Sequence, residues 1–375
     1  MPRDWSRRNV LKYGSLAVGI GTLTKTSSGI AQKSSVADYD GFYVPDEAEP
    51  HERTFMQWPV SRTVYRDPVF LDMVQETIAD IANAISEFEP VVLLMDKDHA
   101  VRARKLLSDS IEIWDVPTDD LWCRDGGPLF TIDSEGGLAV SHLNFNGWGN
   151  KQPHANDGKV AKRVAEILET PVFDNGLVGE PGGVESNGHG TLIAHESSWV
   201  NPNRNVASRD EIGNKLLEAY GAEKIVWAPG VYGEDITDYH IDALCRFVAP
   251  DTILIQLPER VYEDDPWSAG ALETYEILRN STDAEGRPFN FVIIPDAQNP
   301  RIKSLDFVAS YVNYYVCNGA VISAAFGDSK TDAAAREALV AAYPDRQVVT
   351  LNVDPIGEVG GGIHCATQQQ PKTQP

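Results

Sequence analysis

The chain has 375 residues, 42% hydrophobic and 23% charged, which is enough apolar material for a large core. Its 55 acidic residues against 32 basic give a formal net charge of −23, which argues against nucleic acid as a partner. That field favours a cationic substrate, and it would equally serve solubility or adaptation to salt. The four cysteines (Cys123, Cys245, Cys317 and Cys365) form no CxxC pair, and no HExxH occurs, so a structural zinc or zincin site is not indicated.

Residues 1–31 read as a leader rather than as part of the fold. Ser6-Arg7-Arg8-Asn9-Val10-Leu11-Lys12 has the form of a twin-arginine export signal. A weakly apolar run follows, Tyr13 to Leu23, and then the small residues Gly29-Ile30-Ala31 before Gln32. The run is too short to cross a membrane. The expected mature protein therefore starts at residue 32, leaves by the twin-arginine machinery already folded, and is periplasmic or extracellular with no stable membrane insertion.

Beyond the leader, strands and helices alternate. Pro90–Met95 is expected as a buried strand, Lys97–Ser108 as a helix capped by Asp96, and Ile111–Val116 as a strand. Helices follow at Gly158–Glu169, Asp210–Tyr220, Ala271–Asn280 and Thr331–Ala342. Strands are expected at Thr191–His195, Ile225–Ala228, Thr252–Leu257, Phe291–Pro295, Ala320–Ala325 and Gln347–Val353. This is an α/β pattern in one domain, with no sequence repeat visible by eye. It is compatible with a doubly wound sheet, a barrel or a propeller.

Four polar clusters interrupt the apolar pattern: Trp122 to Pro128, Glu180 to Thr191, Tyr239-His240-Ile241-Asp242, and Gly360 to Pro371. The last holds Cys365 in polar, glycine-rich surroundings, whereas Cys245 and Cys317 sit in apolar stretches. That context suits a nucleophilic thiolate. His240 supplies an acid and base near neutrality. On an extended strand Asp242 would share its face. By the same alternation the neighbouring His364 would point away from the Cys365 pocket, so His240 is preferred as the base. Which way Cys123 faces is left open. Asp125 and Glu185 add two carboxylates. Three carboxylates around a thiol suit a guanidinium, whose planar fork presents five N–H donors. Taken singly each residue has a plain structural explanation; their joint occurrence points to attack on a guanidinium carbon.

These motifs resemble the agmatine deiminase family, which includes the Porphyromonas-type peptidylarginine deiminases. The resemblance runs from Gly41-Phe42-Tyr43-Val44-Pro45 and the run Glu49 to Pro59, through WCRDGGP, GGVESNGHGT, Asn201 to Asn205 and HID, to GGGIHCATQQQP. It implies a single-domain, five-bladed pseudo-symmetric α/β propeller. It also implies a hydrolase that converts agmatine to N-carbamoylputrescine and ammonia with no metal and no organic cofactor. In that scheme Cys365 forms a covalent thiouronium, and His240 protonates the leaving ammonia and then activates water. Asp125 and Asp242 hold the guanidinium nitrogens, Glu185 contacts both the histidine and the guanidinium, and Trp122 walls the alkyl stem of the substrate. Cys123 and Gly126 depart from the family pattern, and an export leader is unusual for an agmatine enzyme. Two alternatives stand beside this reading: a secreted peptidylarginine deiminase, and a non-catalytic periplasmic binder of polyamines or guanidines. A homo-oligomer is left open.

Overall fold

The computed structural model describes residues 39–263, 265–304 and 306–373, so the leader expected at 1–31 lies outside the described residues. Five sheets form among these residues. One unit shows the plan. Strand β4 (Leu129–Ile132) pairs antiparallel with β5 (Leu138–Ser141), and the chain then crosses over to β6 (Val172–Phe173), parallel to β5. The same order recurs in β7 (Val184–Ser186), β8 (Thr191–His195) and β9 (Lys224–Ala228). It recurs in β10 (Cys245–Ala249), β11 (Thr252–Leu257) and β12 (Asn290–Pro295). A fourth copy is β13 (Tyr315–Cys317), β14 (Ala320–Ala324) and β15 (Gln347–Leu351).

The remaining sheet joins the two ends of the chain. Strand β1 (His51–Gln57) runs parallel to β2 (Val91–Met95), which pairs with β3 (Glu112–Asp115). The antiparallel partner of β1 is β16 (Thr367–Pro371), the last strand. Cys365 is thus carried to the first unit by the far end of the chain. The fivefold repetition is consistent with the expected propeller, although no repeat is visible in the sequence.

Each crossover carries a helix: α1 (Pro68–Ser86), α2 (Val160–Ile167), α3 (Arg209–Tyr220), α4 (Pro266–Arg279) and α5 (Ser329–Ala342). Their sequences explain their starts. Asp67 caps α1 by accepting from Val69 N, with Pro68 in the first turn. Ser208 and Glu211 form a capping box on α3, and Gly221 ends that helix in the left-handed region at φ 60°. Strand β2 is buried along its whole length, as its run of Val91, Val92, Leu93, Leu94 and Met95 requires for a strand inside a parallel sheet. No helix among the described residues is long and apolar enough to cross a membrane.

Two departures from the sequence reading have clear causes. The helix expected at Lys97–Ser108 is only a 3-10 turn, Lys97–His99, and one α-turn, Ala100–Ala103. Asp96 does cap it, accepting from Asp98 N at 2.9 Å. The chain beyond is diverted by Asn83 of α1, which donates to Leu106 O at 2.9 Å and accepts from Ser108 N at 2.8 Å. The first strands β7, β13 and β16, with sequences VES, YVC and TQQQP, are too short or too polar to show a period.

Candidate active site

The four polar clusters occupy equivalent places in four of the five units, each just before the first, antiparallel strand, and Asn313 takes that place in the fifth. The helical turn Cys123–Gly126 precedes β4, and Pro181–Gly183 precedes β7. Ile241–Ala243 precedes β10, and Ile363–Ala366 precedes β16. Asn313 stands just before β13. Cys365, His240, Asp242 and Asn313 line one cavity of about 690 Å³.

Around the thiol, Asn313 Nδ2 donates to Cys365 Sγ at 3.2 Å, and Sγ lies 3.4 Å from Asp242 Oδ2. The Cys365 backbone N–H also donates to Asn313 Oδ1 at 3.2 Å. His240 stands between two carboxylates. Its Nε2 is 3.2 Å from Glu180 Oε2, and its Nδ1 is 3.7 Å from Asp125 Oδ1. Asp125 Oδ2 accepts from Trp148 Nε1 at 2.9 Å. A Cβ on Gly182 would lie 2.8 Å from both Asp125 Oδ1 and His240 Nδ1, and 3.2 Å from Asp242 Oδ2. Those three groups therefore bound one small space, which any side chain at position 182 would fill.

His240 Nδ1 and Asp242 Oδ1 are buried without a hydrogen-bond partner among the described residues. A buried polar atom left so costs about 1–3 kcal/mol, a cost that a ligand with matching donors removes.

Electrostatics sets the charge states. Burial pushes the His240 imidazole down, but Asp125, Glu180 and Asp242 together outweigh it and hold it above its ordinary value. Burial pushes Asp242 up, yet the hydrogen bond and charge of His364, with His240 and Arg246, bring it down to about 2. Glu180 is likewise lowered against burial, mainly by Arg204, whose Nε bonds both its oxygens at 3.0 and 2.9 Å. Arg204 also reaches Asp238 Oδ2 at 2.8 Å.

The backbone aims His240 through two left-handed residues, Asp238 at φ 57° and Tyr239 at φ 70°. Such a conformation costs about 1–2 kcal/mol per non-glycine residue. It is held by the Asp238 pairs with Arg204 and Lys151, and by Tyr239, whose ring stacks on His195 at 4.6 Å. His195 Nδ1 meets the Tyr239 carbonyl at 2.8 Å.

Three sequence expectations need correction. Glu185 does not meet His240. It lies in β7, where it accepts from Arg246 Nε at 3.0 Å and Phe247 N at 2.8 Å and ties β7 to β10. Glu180, five residues earlier in the same glycine-rich run, holds the histidine instead. Trp122 is not among the residues that line the cavity, and neither is Asp125, which borders it at Gly182. Trp122 packs behind Gly361, a cavity residue whose added Cβ would fall 2.3 Å from the indole. The strand geometry used to weigh His364 against His240 is absent too, since both histidines flank or occupy helical turns. His240 faces the cavity because of the strained entry to its turn. His364 is turned to Asp242 and Glu47, at 2.8 and 2.9 Å.

Cys123, left open by the sequence, faces the core formed by Phe55, Val92 and Phe130, and burial pushes its thiol up. Among the described residues no group of three or more His, Cys, Asp or Glu is arranged to hold a metal ion. Asn313 was missed because no motif singles out an asparagine in VNYY. Glu180, Arg204 and Trp148 all lie in polar runs, but nothing local ranks them.

Residues 43–371 match the family described as Porphyromonas-type peptidyl-arginine deiminase. The chain belongs to this family. Among relatives of this deiminase-family chain, an agmatine deiminase of Medicago truncatula is 32% identical over 367 residues, covering 89% of the chain and 97% of the relative. The solved agmatine deiminase of Enterococcus faecalis superposes with a TM-score of 0.81 at 29% identity, covering 89% of this chain and 96% of that one. An agmatine deiminase of C. jejuni, a cysteine-to-serine variant solved with substrate bound, superposes at 0.79 over 89% of this chain and 97% of that one; at 24% identity it shows the likeness of fold.

Proposed function

We propose that this member of the deiminase family is a cysteine-dependent hydrolase that converts agmatine and water to N-carbamoylputrescine and ammonia. One observation carries the reading: Cys365 Sγ stands against Asp242 and Asn313 in a cavity shared with His240, where His240 Nδ1 and Asp242 Oδ1 await partners. A guanidinium offers donors to Asp125 and Asp242, and its charge favours the thiolate. Carboxylates farther out along the cavity, Asp235, Asp265 and Asp296 among them, suit the second cationic end of agmatine.

The aspartates hold the guanidinium with its carbon over Cys365. The thiolate forms a C–S bond to that carbon. His240 gives a proton to the departing nitrogen, the C–N bond breaks, and ammonia leaves. Water then attacks the thiouronium and passes a proton to His240. Breaking the C–S bond restores the thiolate, and the second hydrogen of the water passes to solvent as the carbonyl of the carbamoyl product forms. Asp125, Glu180 and Asp242, outweighing burial, bias His240 toward the protonated form that the first step uses. Asn313 donates to the sulfur and steadies its negative charge.

The size of the cavity favours one second reading. About 690 Å³ is more than a linear diamine derivative occupies, so an arginine-containing peptide is the alternative substrate. The arginine pair and apolar run of residues 1–31 support export by the twin-arginine route, which suits either substrate.

The test is ammonia release by residues 32–375 from agmatine, free arginine and an arginine-containing peptide in parallel. Release from agmatine is expected; release from the peptide alone would move the protein to the second reading. Silence on all three by a folded protein with a reactive Cys365 would overturn both and favour a binding protein.

A further inference from the structure

His364 precedes the thiol in sequence and has no part in the reaction above. Its ring is buried between two carboxylates on different parts of the chain. Nδ1 lies 2.8 Å from Asp242 Oδ2, before β10, and Nε2 lies 2.9 Å from Glu47 Oε2, in the segment entering β1. The Asp242 oxygen that meets His364 is the one 3.4 Å from Cys365 Sγ. We infer that His364 is a positioning residue that carries a proton on both ring nitrogens and cancels the charge of Asp242 beside the Cys365 thiol. The inference rests on the deiminase reading for its purpose, and on the placing of the ring between two carboxylates for its existence.

The first step is a count of hydrogens. An ionised carboxylate only accepts, so two of them facing one imidazole are both satisfied only when both nitrogens carry hydrogen. Glu47 is held ionised by its pairs with Arg124 and Arg246, each at 3.0 Å, neither of which involves the histidine. Asp242, pushed up by burial, is lowered by His240 and Arg246 in addition to His364.

The second step is the effect on sulfur. A bare carboxylate 3.4 Å from a thiol opposes loss of its proton, because like charges at that range repel strongly away from water. A cation on the same carboxylate oxygen removes most of that opposition. Asp242 can then hold substrate without suppressing the nucleophile.

The third step is what fixes the histidine. Glu47 is anchored by Arg124 and Arg246, each at 3.0 Å, and accepts from Val316 N at 2.9 Å. Arg124 Nε donates to the His364 carbonyl at 3.3 Å. The charged groups packed around the ring are thus Asp242, Glu47 and Arg124. Arg246 and Glu185 stand behind Glu47, and His240 and Asp125 lie across the site. The anchor joins the entries of β1, β4 and β10, so the thiol is tuned by a contact that forms only when the ends of the chain have met.

The experiment is alkylation of Cys365 by iodoacetamide without substrate, followed across pH by mass spectrometry of its peptide, in the unaltered protein and in His364→Gln. Glutamine keeps one donor but carries no charge. The alkylation rate at pH 7 is expected to fall roughly tenfold or more and to recover at higher pH. An unchanged profile in a folded variant would overturn the inference, because a purely structural histidine would not move a thiol titration. Should His364→Gln fail to fold, nitrogen-15 spectra of histidine-labelled unaltered protein decide. A buried ring with hydrogen on both nitrogens at pH 7 is expected, and a ring with one bare nitrogen would overturn the inference. Failure of the unaltered protein to release ammonia from any substrate would strike the deiminase reading instead and leave the alkylation profile to judge this one.

Discussion

His240 and His364 are equally buried, at 3% exposure each, and each lies between two carboxylates. Burial and charge therefore do not tell them apart; hydrogen-bond completion does. Both nitrogens of His364 are engaged at 2.8 and 2.9 Å, and Glu47 is anchored in turn by Arg124 and Arg246. His240 has one engaged nitrogen and one that faces the cavity with none. The saturated ring holds the site together, and the incomplete one is free to pass a proton. The two glutamates differ in partner instead: Glu185 is committed to Arg246 and Phe247 N, and Glu180 to Arg204 and His240.

The sharpest test of that contrast removes the nucleophile. Cys365→Ala should abolish ammonia release while leaving the thermal melt close to that of the unaltered protein; residual normal turnover would end the assignment. Next is His240→Ala, expected to lower kcat by about 10²–10⁴-fold, the worth of a positioned acid and base. His364→Gln should cost clearly less, and equal losses in the two variants would erase the distinction between them.

The two glutamates should part company. Glu180→Gln is expected to lower kcat and shift its pH profile, and also to lower stability because the buried Arg204 loses a charged partner. Glu185→Ala should instead destabilise by about 3 kcal/mol, because it strips a carboxylate from the buried Arg246. Urea unfolding and steady-state kinetics on both variants read this directly, and a swapped pattern would restore Glu185 to the histidine.

The smallest effect is in the pH dependence of stability. Asp242 drops from 3.8 to about 2 on folding, which contributes about 2 kcal/mol. A depressed carboxylate gives stability present above its unfolded value and lost as pH falls toward 2. His240 is raised, so its contribution is present below its unfolded value and lost as pH rises through the folded one. The urea midpoint should therefore fall on both sides of a weakly acidic plateau. Asp242→Asn should flatten the acid limb, and an unchanged acid limb would show that Asp242 is not held low.

Much of this was legible along the chain. Strands β2, β8 and β11 stand where their apolar runs place them, and α3 starts at its capping box. Cys365, His240, Asp242 and Asp125 carry their chemistry in residue type and in polar, turn-rich surroundings, which local reading detects. Helix α1 lies outside those expectations, although Asp67 and Pro68 mark its start in the sequence.

Other features had no local signal. The sequence by itself determined which side chains are reactive and which runs must be buried, because side-chain chemistry and hydrophobic period are properties of short stretches. Only the tertiary structure decided that five dissimilar stretches form one repeated unit. Only it decided that Glu180 rather than Glu185 reaches His240, and that Asn313 and Glu47 belong beside residues far away in the chain. Those choices depend on where a turn in one unit arrives relative to a turn in another. Backbone strain at Asp238 and Tyr239, the register of β7 on β8, and the pairing of β1 with β16 set those arrivals, and each is fixed by contacts between distant segments.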